Sequence, residues 1–175
     1  MNFDCIYETD DCFYLVFEPV LEINLEDLIQ MHKKISKKKT KIIMRALFNA
    51  LFYLHSKNII HRDIHPQNIF FRKKKIDSQN IVLGNFGLSI QQDHKFYLKC
   101  GTPGFIAPEL LNIKKKNVYD KKCDLFSLGI TFYCIRLGTT PYEVGKLVDI
   151  VEKNKNCEFK FSKNYTALNY KGTNH

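Results

Sequence analysis

No glycine occurs before position 84, although the chain has eight. The first 83 residues therefore cannot supply the glycine-rich loop that cradles phosphate groups in many nucleotide-binding proteins. The six cysteines, at 5, 12, 100, 123, 134 and 157, include no C-x-x-C pair and no Cys/His cluster at zinc spacing. That spacing argues against a metal ribbon and against a disulfide framework, and predicts reduced, mostly buried thiols. Long apolar runs are missing as well. The longest, residues 123–138, carries Asp124 and Arg136 and is too short to span a bilayer. No charged-then-apolar leader opens the chain, so the expectation is a soluble protein of the cytoplasm or nucleus. The lysine clusters at 33–41, 73–75 and 114–116 have no aromatic residues interleaved with them, as a stacking platform for single-stranded nucleic acid requires.

What is present fits one globular domain: 175 residues, 45% hydrophobic and 13% aromatic. The formal charge of +9 comes from lysine clusters at 33–41, 73–75 and 114–116. Each lies between apolar segments, which favours solvated loop lysines over a nucleic-acid surface. Residues 13–17 (FYLVF) read as a buried strand closed by Glu18-Pro19, and 25–32 as a short helix followed by a lysine-rich loop. From Thr40 as N-cap, Ile43, Leu47, Ala50, Leu51 and Leu54 form one apolar stripe of a long helix ending near His55. Short strands are predicted at 68–72 and 80–83. Residues 123–137, apolar on nearly all sides, predict a buried helix, and 145–155 an amphipathic one. The polar stretch from Asn164 to His175 is expected to fray.

Beyond the long helix, IIHRDIHPQNIFF (59–71) places Asp63 five residues before Asn68 in a tight loop. Such an aspartate can orient a reacting hydroxyl, or it can simply cap backbone amides. His61-Arg62-Asp63 with Asn68, then Asn85-Phe86-Gly87, then GTPGFIAPE (101–109), stand in the order of the signature motifs of the eukaryotic protein kinases, which this chain resembles. DLFSLG (124–129) and GTTPY (138–142) are similar to that family's central helix and the turn after it. His65-Pro66 and GTPGFIAPE resemble the Ser/Thr branch, and GKLVDIVEKNKNCEFKF (145–161) the calcium/calmodulin-dependent group.

The resemblance implies a mainly α (α+β) fold: the large, mostly helical lobe of a kinase-like domain, with short β-hairpins and a remnant small-lobe strand. Residues 1–20 would be the last small-lobe strand and the hinge, 21–163 the large lobe, and 164–175 a tail. It implies ATP and magnesium as cofactors and a protein substrate or partner. Asp63 would be the catalytic base, with His65 and Thr102 beside it. Backbone groups of Glu18 and Val20 would face the adenine, and Asn68 and Asn85 would hold the metal. Asp124 would cap catalytic-loop amides, and Phe86 would pack with His61 in the core. Gly101 and Gly104 would form tight turns, and Phe126 stands where the family has tryptophan.

Two departures bear on activity. Asn85 replaces the aspartate that precedes Phe-Gly in the family, removing a negative charge from the metal position. His65 replaces a lysine that contacts the transferred phosphoryl group. The implied function is Ser/Thr protein kinase-like phosphoryl transfer, strongly impaired in this chain. The alternative is a pseudokinase acting as scaffold or allosteric partner.

Overall fold

The computed structural model describes residues 3–33, 35–92, 99–112, 120–142 and 145–159. The lysines at 114–116 and the tail from Asn164 to His175 lie outside them. In chain order the elements are strands β1 (Phe3–Glu8) and β2 (Phe13–Phe17), helices α1 (Leu25–His32) and α2 (Lys37–Ser56), strands β3 (Ile59–Ile60), β4 (Ile69–Phe71), β5 (Ile81–Leu83) and β6 (Ile90–Gln91), and helices α3 (Pro108–Leu111), α4 (Lys122–Leu137) and α5 (Leu147–Lys155). Among the described residues the strands pair only as antiparallel two-stranded ribbons, β1–β2, β3–β6 and β4–β5. Helices therefore carry the core, and the fold is mainly α. Among the described residues no helix is long and apolar enough to cross a membrane.

Local chemistry sets the helix starts. Asn24 Oδ1 accepts from Asp27 N at 3.1 Å and Asp27 Oδ2 accepts from Asn24 N at 2.9 Å, a reciprocal cap that opens α1. Helix α2 begins earlier than the sequence pattern suggests. Its cap is Ser36, whose Oγ accepts from Lys39 N at 3.3 Å. Thr40 lies one turn inside, is buried, and returns its hydroxyl to Ser36 O at 3.0 Å. Thr40 thus extends the inward stripe of Ile43, Leu47, Leu51 and Leu54 by a turn, and Lys37, Lys38, Lys39 and Lys41 sit on a helix rather than in a loop.

The FYLVF strand forms where expected but is not buried. Phe13, Tyr14 and Leu15 are 64%, 56% and 57% exposed, because β1 is the partner β2 has and a lone ribbon has no covered face. Strand β1 itself was not anticipated, although Asp10-Asp11 between two apolar runs is a hairpin signal. The thiol expectation also needs correction: Cys123 and Cys134 are buried, whereas Cys12 and Cys157 are exposed. Burial pushes the Cys134 thiol up to about 12, so it stays protonated and behaves as a small apolar side chain.

The core has two parts. Leu25, Ile29, Ile43, Leu47, Leu51, Ile69, Leu128 and Ile135 join α1, α2, β4 and α4. Ile60, Ile90, Ile106, Ala107, Leu110 and Cys123 form a second cluster under α3. Phe126, half-buried on α4, packs against both.

Helix α4 ends at Gly138 with φ +75°, where a Cβ would meet Lys33 O at 2.4 Å. Gly138→Ala is therefore expected to cost at least ~1–2 kcal/mol for the left-handed backbone alone, with displacement of residue 33 added to that. Gly129→Ala, in the same helix with nothing within 4 Å of the new Cβ, should instead stabilise by roughly 0.5–1 kcal/mol. Urea denaturation of the two variants should show these opposite signs.

Candidate active site

Helix α2 delivers the chain into residues 59–68, and α4 holds that segment from beneath. Asp124, fully buried, accepts from His61 N and Arg62 N, each at 2.9 Å, and from His55 Nε2 at 2.8 Å. The aspartate thus caps the loop, as the sequence implied. His61 is fully buried and bridges to the next strand, its Nε2 donating to Gly84 O at 3.0 Å. Because Asp63 N donates to its Nδ1 at 3.3 Å, that nitrogen must be unprotonated, which fixes the neutral Nε2–H tautomer. Burial lowers its pKa and favours the same neutral form. The Phe86 ring meets His61 edge-on at 4.9 Å, but Phe86 is 44% exposed and lies at the surface rather than in the core.

Asp63 is 8% exposed. Its Oδ1 accepts from Thr102 Oγ1 at 2.7 Å and Thr102 N at 2.9 Å, and its Oδ2 accepts from Asn68 Nδ2 at 3.0 Å. His65 Nε2 stands 3.6 Å from Oδ2, with its ring 5.6 Å from Phe105. Burial raises the Asp63 pKa, but the nearby His65 together with hydrogen bonds from Thr102 and Asn68 outweighs it and holds the carboxyl at about 2.

A pKa lowered by folding contributes stability that is full above the ordinary value near 3.8 and is lost as pH falls through about 2. The size is ~2 kcal/mol. Urea midpoints of the wild-type chain should fall over that window, and Asp63→Asn should flatten the fall.

Asn68 continues the line. Its Nδ2 must face Asp63, donating to the carboxylate and to Asp63 O at 2.8 Å. Its Oδ1 is then turned away and accepts from Asn85 Nδ2 at 3.1 Å. Asn85 holds φ +58°, a left-handed conformation that asparagine tolerates. Thr102, Asp63, Asn68 and Asn85 form one hydrogen-bonded row with His65 on its flank. Gly101, at φ +113°, brings the Thr102 turn close; a Cβ there would lie 2.8 Å from Arg62 O.

A kinase-type loop, its aspartate cap on the central helix and a glycine turn bonded to the loop aspartate are thus all present. The protein kinase domain profile matches residues 1–174. The chain belongs to the protein kinase family. It is 40% identical over 161 residues, 91% of its length, to calcium-dependent protein kinase 5 of Plasmodium berghei. It is 35% identical over 162 residues to the probable serine/threonine-protein kinase fhkC of Dictyostelium discoideum, covering 91% of the chain, and 31% identical over 161 to the human phosphorylase b kinase gamma catalytic chain, liver/testis isoform, covering 89%. These matches take in 28%, 27% and 39% of those relatives, so the chain spans well under half of each.

Of the site residues read from the sequence of this kinase domain, Asp63, His65, Asn68, Asn85 and Thr102 come together. Glu18 and Val20 take no part in their hydrogen-bonded row. The Glu18 carboxylate lies 3.5 Å from Arg72 Nη2, and Leu21 N donates to Phe71 O at 2.7 Å, which ties the stretch after β2 to β4. Glu109 is exposed, and Arg136 donates to Ile35 O at 2.7 Å.

Magnesium is bound through oxygen ligands that include carboxylates. Asn68 and Asn85 offer neutral amide oxygens, one of them already engaged, and Asp63 already accepts three hydrogen bonds. Among the described residues no three His, Cys, Asp or Glu side chains cluster as a metal site. The donor set is a poor match for the ion.

Two residues of the site's support were missed. His55 reaches Asp124 from 69 positions away. Asn154, fully buried on α5, accepts from Gly104 N at 3.0 Å and donates to Ile106 O at 2.7 Å and to the Tyr142 hydroxyl at 3.2 Å. Its signal was available: with Ile150 and Val151 it shares the inward face of an amphipathic helix, where an amide requires partners.

Proposed function

We propose that this chain is a Ser/Thr protein kinase-type domain, comprising the hinge region and most of the large lobe, whose capacity for phosphoryl transfer is strongly impaired. Asp63 is the group that would orient the attacking hydroxyl of a protein Ser or Thr, Thr102 positions it, and His65 stands at the phosphoryl-contacting position. Backbone groups of Glu18 and Val20 would take the adenine, and Asn68 and Asn85 occupy the metal positions. ATP would supply the phosphoryl group. The observation that carries the impairment is the row of hydrogen bonds from Thr102 to Asn85, which engages the Asp63 carboxylate and the Asn68 amide with protein donors and leaves a neutral amide oxygen at 85.

A radiolabelled-phosphate assay on the purified chain, with magnesium and generic protein substrates, should give only background transfer. Turnover that Asp63→Ala abolishes would overturn the proposal. The neutral amide pair also favours a second reading, a pseudokinase acting as scaffold or allosteric partner. That reading expects no magnesium-dependent gain in melting temperature with ATP, whereas a weakened enzyme shows some.

A further inference from the structure

Two glycines in the left-handed region, Gly101 at φ +113° and Gly104 at φ +87°, flank the Thr102-Pro103 pair. Glycine leaves such a turn free to take other conformations, so its own sequence does not hold Thr102 against Asp63. Phe105 N donates to Thr102 O at 3.0 Å, which closes the turn on itself. Other backbone groups of the turn are held from outside. Ser127 Oγ on α4 donates to Phe105 O at 2.7 Å. Asn154 on α5 takes the groups on either side, accepting from Gly104 N at 3.0 Å and donating to Ile106 O at 2.7 Å.

An N–H needs an acceptor and a carbonyl needs a donor, so the Asn154 amide has one usable orientation, with Oδ1 toward Gly104 and Nδ2 toward Ile106. Its second Nδ2 hydrogen goes to the hydroxyl of Tyr142, itself buried, at 3.2 Å. A leucine at 154 would serve an apolar core as well and would leave Gly104 N and Ile106 O without these partners. Packing alone therefore does not call for an amide here. What the turn delivers is the orientation of Asp63. Thr102 N and Oγ1 both donate to Oδ1, whereas Oδ2 takes one donor, Asn68 Nδ2. A carboxylate oxygen accepts about two hydrogen bonds, so Oδ1 is filled and the remaining acceptor capacity is on Oδ2, on the side of His65.

We propose that Asn154 is a positioning residue for Asp63: by clamping the 102–106 turn it holds Thr102 on Oδ1, and so leaves Oδ2 as the oxygen that meets an incoming hydroxyl. This role rests on the reading of Asp63 as the group that orients that hydroxyl. Transfer activity tests that reading, and the Thr102 amide tests Asn154, so the two can fail separately.

The experiment is amide NMR of the purified, isotope-labelled chain. In the wild type the Thr102 amide proton is bonded to a carboxylate at 2.9 Å; in Asn154→Leu its resonance should move toward the position it has in Asp63→Ala, where that acceptor is gone. The Thr102 and Gly104 amides of Asn154→Leu should exchange with solvent at least roughly tenfold faster than in the wild type, while those of His61 and Arg62, held by Asp124, exchange as before. Asn154→Asp keeps the acceptor for Gly104 N and loses the donor to Ile106 O, and should move the Thr102 resonance in the same direction by less. Tyr142→Phe removes one partner of Asn154 and neither turn bond, and should leave that resonance in place. Equal acceleration of all four amides overturns the proposal, because Asn154 then only stabilises the fold as a whole. So does a Thr102 resonance that stays put in Asn154→Leu, one that moves as far in Tyr142→Phe, or failure of both Asn154 variants to fold.

Discussion

Asp124→Ala is expected to lower the stability of the chain by about 3–5 kcal/mol, enough to leave much of it unfolded at room temperature. The carboxylate is fully buried and accepts from two backbone amides and one histidine nitrogen. Removing it strands two buried N–H donors, each at roughly 1–3 kcal/mol, and opens a small void beneath the loop. Lys122→Ala, two residues earlier on the same helix, is the control. Its side chain is 81% exposed and its ion pair with Asp120 spans 3.6 Å, so the change should be within ~0.5 kcal/mol of neutral. Urea unfolding followed by far-UV circular dichroism measures both. Near-wild-type stability of Asp124→Ala would mean that the loop holds its shape by other contacts.

Asn85→Asp is expected to reverse the response of the site to magnesium. In the wild-type chain the Asn85 amide donates to Asn68 Oδ1, and Asn68 cannot turn over because its own amide is held by Asp63. A carboxylate at 85 sets oxygen against oxygen and should destabilise the metal-free protein by ~1 kcal/mol. Residues 68 and 85 of the variant would offer a divalent ion an amide oxygen and a carboxylate, and holding the ion would offset that repulsion. At 4 Å one added carboxylate is worth about 4 kcal/mol for each unit charge on the ion at an effective dielectric near 20. Melting curves in magnesium and in chelator should therefore separate for the variant and coincide for the wild type. Coincident curves for both proteins would mean that a carboxylate at 85 does not by itself make a magnesium site.

The parts of the site written as residue type at fixed offset were legible from the sequence. Asp63 with Asn68 is a short-range spacing, whereas the glycine turn before Thr102 and Asp124 as a cap bond to partners 39 and 62–63 residues away and were legible only through the resemblance to the kinase family. Helix α1 was legible to the residue because its apolar period is clear over all eight positions. Burial was less legible. FYLVF advertises a capacity to be buried, and only the rest of the fold decides whether a partner arrives; among the described residues β2 pairs with β1 alone. Thr40 and Ser36 are both competent caps, and the choice between them follows from Thr40 lying on the buried stripe. His55 was hidden by distance along the chain, since nothing near it announces a carboxylate 69 residues on. The replacement of lysine by His65 was plain, but its 3.6 Å approach to Asp63 rests on packing against Phe105, which no local pattern encodes.

The ring of Phe126 touches both apolar clusters, the one behind Asp63 and the one under the glycine turn. Neither half can loosen without baring part of a surface the other half shares. The chain has no tryptophan to give this position an indole donor, so the linkage is purely one of shape and contact. Cooperativity between the Asp63 loop and the Thr102 turn is thus built into a hinge-pin of carbon.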